Sequence, residues 1–475
     1  MDTMDKFNYE DLETLICPLP EDIVKRKYGG DFEGAVRLCD QAIAAKETSE
    51  YMKRRLRLEK RILERLPAEY PYTFEEIEGR VREILPDVTR EELRRWQDEG
   101  QLDWIYVKGQ ERFAGRVVSN LMNNAELAKR SALLLGKADE KGNAPLSAGA
   151  VNCEKSRQKM MKDGVDSHHF RIRETMTISD RAFHPGKIKV YLPVPAQCAQ
   201  LSDIKIEAAS PVPYHLSDPA APQRTICFEE DMKENHPFFV EFSFTSTGYY
   251  HDFWSEKDGG TMSLMYRNRP KEDDPVPEDL EEHYPHIRFT AFLRQLCAQL
   301  SEGCRTPMEK AKSFYNYLTT QAHYSYVSPY FLIEDQAEYY TMNRHGDCGL
   351  YSLAMINLCR IAGIPARWQS GNSICGDFGG CHDWCQIYLE PYGWIGCDPS
   401  YGGDSTETKR RFYFGNLDPL RMPSNRAFQQ PFDPPMEYLR ADPYDNQSGE
   451  AEYEDGSLSG CDFDTGKKIL ENTTL

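Results

Sequence analysis

The chain has 475 residues, 40% of them hydrophobic and 12% aromatic, enough for several packed cores. Lys and Arg number 57 against 76 Asp and Glu, a net charge of −19, which argues against nucleic acid or an anionic membrane as partner because both select basic surface. The start, Met1-Asp-Thr-Met-Asp-Lys-Phe-Asn8, is acidic with no apolar run, and no later stretch approaches the ~18 apolar residues of a spanning helix. The expectation is a cytoplasmic protein whose 14 cysteines are free thiols.

Residues 1–135 read as a helical N-terminal region. Phe32, Ala35, Val36, Leu38, Cys39, Ala42 and Ile43 form an apolar stripe, and Leu56, Leu58, Ile62, Leu63 and Leu66 form another among alternating charges. A third helix begins at Thr73, and Asp87-Val-Thr89-Arg-Glu-Glu92 has the form of a capping box before Leu93 and Trp96. Gly100 ends that helix, and 102–107 looks like a short strand. Helix, turn and strand would suit a winged helix, but the surroundings are not strongly basic, so the region reads as a scaffold or protein-partner surface. Residues 136–160 have linker composition.

From His168 the period becomes two, and short strands at 170–178, 187–195, 204–207, 224–228 and 238–245 indicate a β-sandwich-like domain over 161–265. The histidines 168, 169, 184, 215 and 251 scattered through it lack the spacing of metal ligands. Residues 266–435 open with helices at about 286–300 and from Thr306 to about Thr320. The acidic tail, 436–475, is poor in apolar residues and by itself reads as disordered or a surface arm.

The chemistry concentrates between Arg344 and Gly402. Leu350, Leu353, Ala354, Leu358, Ile361 and Ala362 recur at spacings of three and four, predicting a helix from Cys348 that closes at Gly363, with Pro365 beyond. A thiol at a helix N-terminus lies at the positive end of the dipole, which favours thiolate. Trp384–Leu389, the turn Pro391-Tyr-Gly393 and Trp394–Cys397 then read as a hairpin, with His382 at the mouth of one strand and Asp398 at the end of the other. Cys348 as nucleophile, His382 as base and Asp398 as its orienting carboxylate make a constellation for acyl transfer. Cys375, Cys381, Cys385 and Cys397 lie near His382, but their gaps are irregular and no Cys-x2-Cys pair occurs, so a zinc site is the weaker reading and no cofactor is expected.

Gly-Asp-Cys348, Gly-Ile-Pro-Ala-Arg367, His382-Asp-Trp and Gly-Trp-Ile-Gly-Cys-Asp398 together resemble the core of the transglutaminase-like superfamily, over about residues 305–435. Arg367-Trp-Gln-Ser-Gly371 and Phe414-Gly-Asn-Leu-Asp-Pro419 are most similar to bacterial transglutaminase-like proteins. The resemblance implies an α+β, papain-like fold with Cys348, His382 and Asp398 as a triad. It also implies that part of the tail folds back on the β-domain. The superfamily contains crosslinking enzymes, peptidases, amidases and members that have lost catalysis, so the implied activity is acyl transfer on peptide or side-chain amides of a peptide or protein substrate. Hydrolysis is preferred, with a non-catalytic binding protein as the alternative. Beside the backbone N–H of Cys348, Gln321, Tyr324 or Tyr326 would donate to the oxyanion, Tyr326 being the favoured candidate.

Overall fold

The computed structural model describes all residues except 1–5, 7–8, 140–142, 144, 256–261, 377–378 and 404. The N-terminal third is helical as the stripes require, with helices at Glu21–Tyr28, Phe32–Ala44, Glu50–Glu69, Phe74–Ile84 and Arg90–Asp98. Their starts are written in the sequence: Asp31 accepts from Gly34 N, Thr73 and Glu76 form a reciprocal capping box, and Thr89 accepts from Glu92 N. The short strand at Trp104–Val107 pairs with Gln110–Phe113 across Lys108 and Gly109, both at positive φ, as a two-residue hairpin turn demands.

These helices share one hydrophobic cluster with the second half of the chain, which runs from Leu12 through Trp96 to Leu353, Trp368 and Tyr444. Polar contacts follow. Asn120 donates to the carbonyl of Tyr326 at 2.9 Å and accepts from its N–H at 2.8 Å, and Arg65 donates to the carbonyl of Ala441 at 3.0 Å.

The linker-like stretch contains a helix, Ala148–Asp163, capped by Ser147 and ended by Gly164 in the left-handed conformation. Its buried residues are Ser156, Arg157 and Met160, so it offers no apolar stripe to read. Cys153 on this helix is disulfide-bonded to Cys375, their Cα atoms 5.9 Å apart, which corrects the expectation of free thiols throughout.

Two antiparallel sheets follow, packed on one cluster that includes Phe170, Ile172, Phe242, Ile188, Val190 and Phe228. The tail completes both: Glu450–Tyr453 pairs with Gly186–Pro193, and Phe463–Thr474 pairs along Val165–Ile178. A disordered tail is therefore not observed in its described residues. The acidic side chains that suggested disorder have structural work, since Glu450 accepts from the N–H groups of Ala441 and Asp442, and Glu452 from those of Glu437 and Tyr438.

A five-stranded sheet is the core of the 266–435 segment, in the order Phe414–Gly415, Gly393–Cys397, Gly380–Leu389, Ala366–Ser373, Arg421–Asn425. The aromatic stretch from Arg411 to Gly415 is the end of a helix, Glu407–Phe412, followed by the two-residue edge strand. On one face lies the helix Cys348–Ile361, with Ala291–Leu300, Pro307–Gln321 and Gln336–Asn343 around it. Every residue of that helix from Cys348 to Arg360 is buried, so it is enclosed on all sides rather than amphipathic. No described helix is long and apolar enough to cross a membrane.

Candidate active site

The hairpin does what its turn predicts. Cys385 pairs with Cys397, and continuing that register sets Asp398 opposite Trp384, with His382 two residues further along the same face. His382 Nε2 meets Asp398 Oδ2 at 2.7 Å, and both residues are buried, 3% and 0% exposed. Arg421 donates to the same oxygen at 2.7 Å, while Ser400 Oγ and Tyr401 N donate to Oδ1, each at 2.9 Å. Burial alone would raise the Asp398 carboxyl, but His382 and Arg421 beside it, with these hydrogen bonds, hold it far below the usual carboxylate range. The imidazole stacks on Tyr401, ring centroids 4.2 Å apart.

Cys348 has a different partner. It is the first residue of its helix, with Asp347 at the N-cap position, and its thiol donates to Asp383 Oδ2 at 3.2 Å. Asp383 follows His382 on the strand, and successive side chains point to opposite faces. Asp383, Cys385 and Ile387 turn toward the Cys348 helix, whereas His382 and Trp384 turn toward Arg421 and Tyr401. The structure thus joins two of the three expected residues and gives the third, Cys348, a carboxylate in place of the imidazole.

Around the thiol is a network that the motifs did not announce. Tyr330 donates to Asp347 Oδ1 at 2.6 Å and lies 3.3 Å from Asp383 Oδ2. Gly349 permits that approach, because a Cβ there would fall 2.1 Å from the Tyr330 oxygen. Burial, with the charges of Asp383 and Asp347, pushes the Cys348 thiol well above its ordinary value. Burial, with Asp445 and Asp347, likewise raises Asp383, and Asp347 is pushed up to about 6, chiefly by burial.

Cys348 is 8% exposed and lies at a cavity of about 550 Å³ whose lining includes Arg65, Arg116, Tyr326, Asp383, Asp445 and Gln447. The walls therefore come from the N-terminal helices, the core and the tail. Tyr324 and Tyr326 both line it, their rings 5.5 Å apart, with Arg116 over Tyr326. Gln321, the third oxyanion candidate, is exposed at the end of its helix and contacts Thr320. The cysteines proposed for zinc do not converge as a group: Cys375 is in the disulfide, Cys381 is exposed beside Ser448, and Cys385 is buried against the carbonyl of Cys397. Among the described residues, the metal-capable side chains that do come together are Cys153, Cys375 and Asp418, and two of these are the disulfide.

Residues 294–399, which contain Cys348, His382 and Asp398, match the family model of the Transglutaminase-like superfamily; the chain carries a transglutaminase-like domain there. Uncharacterized protein YebA of Bacillus subtilis (strain 168) is 28% identical over 129 residues, covering 23% of this chain. The chain spans 17% of the length of that curated relative. Among solved structures, a putative cysteine protease from Cytophaga hutchinsonii aligns over 65% of this chain and 91% of its own, at 15% identity and a TM-score of 0.41. The periplasmic domain of TgpA from Pseudomonas aeruginosa aligns over 54% and 92%, at 12% identity and a TM-score of 0.26.

Proposed function

We propose that the chain is a cysteine-dependent acyl-transfer enzyme acting on peptide or side-chain amide bonds, with Cys348 as nucleophile. The observation that carries this reading is the thiol at the first turn of a buried helix, on the wall of a 550 Å³ cavity, already hydrogen-bonded to a group able to take its proton. Deprotonated Cys348 attacks the amide carbonyl, and the backbone N–H of Cys348 with the Tyr326 hydroxyl stabilises the oxyanion. A proton is then delivered to the departing amine and water resolves the thioester. Water is preferred as acceptor because it is the most abundant; transamidation by a primary amine uses the same intermediate.

Two groups compete for the role of base. His382 has the partner of a base, Asp398, and the place in the motif; Asp383 has the contact. The pH dependence of turnover, measured in wild type and in His382→Ala and Asp383→Asn, separates them, since loss of the true base costs about 10²–10⁴-fold. Cys348→Ala must abolish turnover; activity persisting in it rejects the nucleophile.

A second reading, a binding protein that keeps the fold without the chemistry, is favoured by the thiol's burial and raised affinity for its proton. A panel of peptide and amine substrates with no turnover by wild type, together with Cys348 alkylated no faster than buried Cys359, selects it.

A further inference from the structure

The segment 441–449, between the end of the core sheet at Asn425 and the β-domain strand that begins at Glu450, lines the same cavity as Cys348. Its side chains are tied inward: Asp445 accepts from Ser370, and Ser448 meets Cys381 at 3.1 Å. The backbone carbonyl of Gln447 is held by Lys467 and by Asn372. The carboxamide of Gln447 reaches the site itself, where Nε2 donates to Asp383 Oδ1 and, at 3.2 Å, to the carbonyl of His382. Asp383 Oδ2 is the atom that holds the Cys348 thiol. One carboxylate therefore bridges a cysteine thiol and a primary amide.

We infer that Gln447 is an internal acyl donor for Cys348, so that the protein acylates and modifies itself at this glutamine. The inference rests on the nucleophile assigned above. Asp383 as carboxylate takes the thiol proton through Oδ2, and sulfur attacks Cδ of Gln447. The C–N bond breaks as the proton passes to the amide nitrogen, and ammonia leaves a Cys348–Gln447 thioester. Water then opens it to a free thiol and a side-chain carboxylate in place of the amide, or a primary amine opens it to an N-substituted glutamine; neither route needs an oxidant or a cofactor. Tethering of both reactants in one cavity removes the association cost that an outside amide would meet. Asn446, the neighbouring amide, is committed elsewhere, its Oδ1 accepting from Gly449 N at 2.8 Å. The raised proton affinity of the buried Asp383 suits it to accept a thiol proton and return it.

The test uses the full chain incubated with methylamine, followed by peptide mapping by mass spectrometry. The expected result is methylamine, or the exchange of amide for acid, at Gln447 in wild type, absent both from Cys348→Ala and from wild type whose Cys348 was first blocked with iodoacetamide. The blocked wild type serves if the alanine variant fails to fold. Unmodified Gln447 in a protein that cleaves or transamidates outside peptides overturns the inference and leaves the proposed function standing. Unmodified Gln447 with no turnover of any substrate overturns both. Modification that persists without Cys348 is spontaneous deamidation and also overturns it.

Discussion

Asp383 holds the Cys348 thiol at 3.2 Å, one residue along the strand from the histidine that the motif assigns to that task. Removing its charge has a signed consequence, because burial, Asp383 and Asp347 together keep the thiol protonated. Asp383→Asn is expected to lower the apparent pKa of Cys348, so that iodoacetamide alkylates it faster at neutral pH than in wild type. Rates followed across pH by peptide mapping check this, and an unchanged pH profile of alkylation in Asp383→Asn would show that the carboxylate does not set the acidity of the sulfur.

Arg421 is buried between Asp398 and Asp418, donating to each at 2.7 and 3.0 Å. Replacing it by Leu strands two buried carboxylates. The expected loss of stability is about 3–5 kcal/mol, read as a fall in the denaturant midpoint, whereas Arg421→Lys should lose less while keeping the charge.

Gly349→Ala places a Cβ where the Tyr330 hydroxyl sits. The tyrosine must move, and its bonds to Asp347 and Asp383 go with it. A destabilisation of about 1–3 kcal/mol is expected from overpacking. Tyr330→Phe in the same background should restore part of it, because the phenyl ring lacks the oxygen in the way.

Burial raises the carboxyl of Asp445 to about 7 and that of Glu450 to about 8. Unfolded, such groups titrate near 4, so between about 4 and 8 the folded chain holds the more protons and their contribution to stability falls as pH rises. Asp398 has the opposite sign: its contribution is present above about 4 and is lost in acid. Thermal midpoints from pH 5 to 8.5 should therefore fall less in Glu450→Gln than in wild type. Equal slopes in the two proteins would show that Glu450 does not titrate in this range.

The sequence carried the local signals well where a rule has only one solution. A tight turn at 391–393 forces antiparallel pairing, so the meeting of His382 and Asp398 was legible, as were the Cys348 helix start and the Thr73 and Thr89 caps. Which face of the His382 strand turns to the helix was not legible. Residues 382–387 are buried on both faces, so alternation has no polar side to reveal, and Asp383 passed unnoticed beside a better-known neighbour. Tyr330, in the short 3-10 helix Tyr330–Leu332, and Gln447, in a loop of the distant tail, carry no local signal for the site, and only tertiary packing brings them to the thiol. The tail misled because composition counts carboxylates as solvated charge, whereas Glu450 and Glu452 are buried acceptors for backbone N–H groups.

Asn120 clasps both backbone groups of Tyr326, and the apolar side of the first helices merges with that of the domain carrying the thiol. A chain begun at residue 136 would therefore not be the same fold with a dispensable piece removed. It would show water a greasy flank and let the aromatic wall of its own cleft drift, so aggregation and loss of the pocket would arrive together.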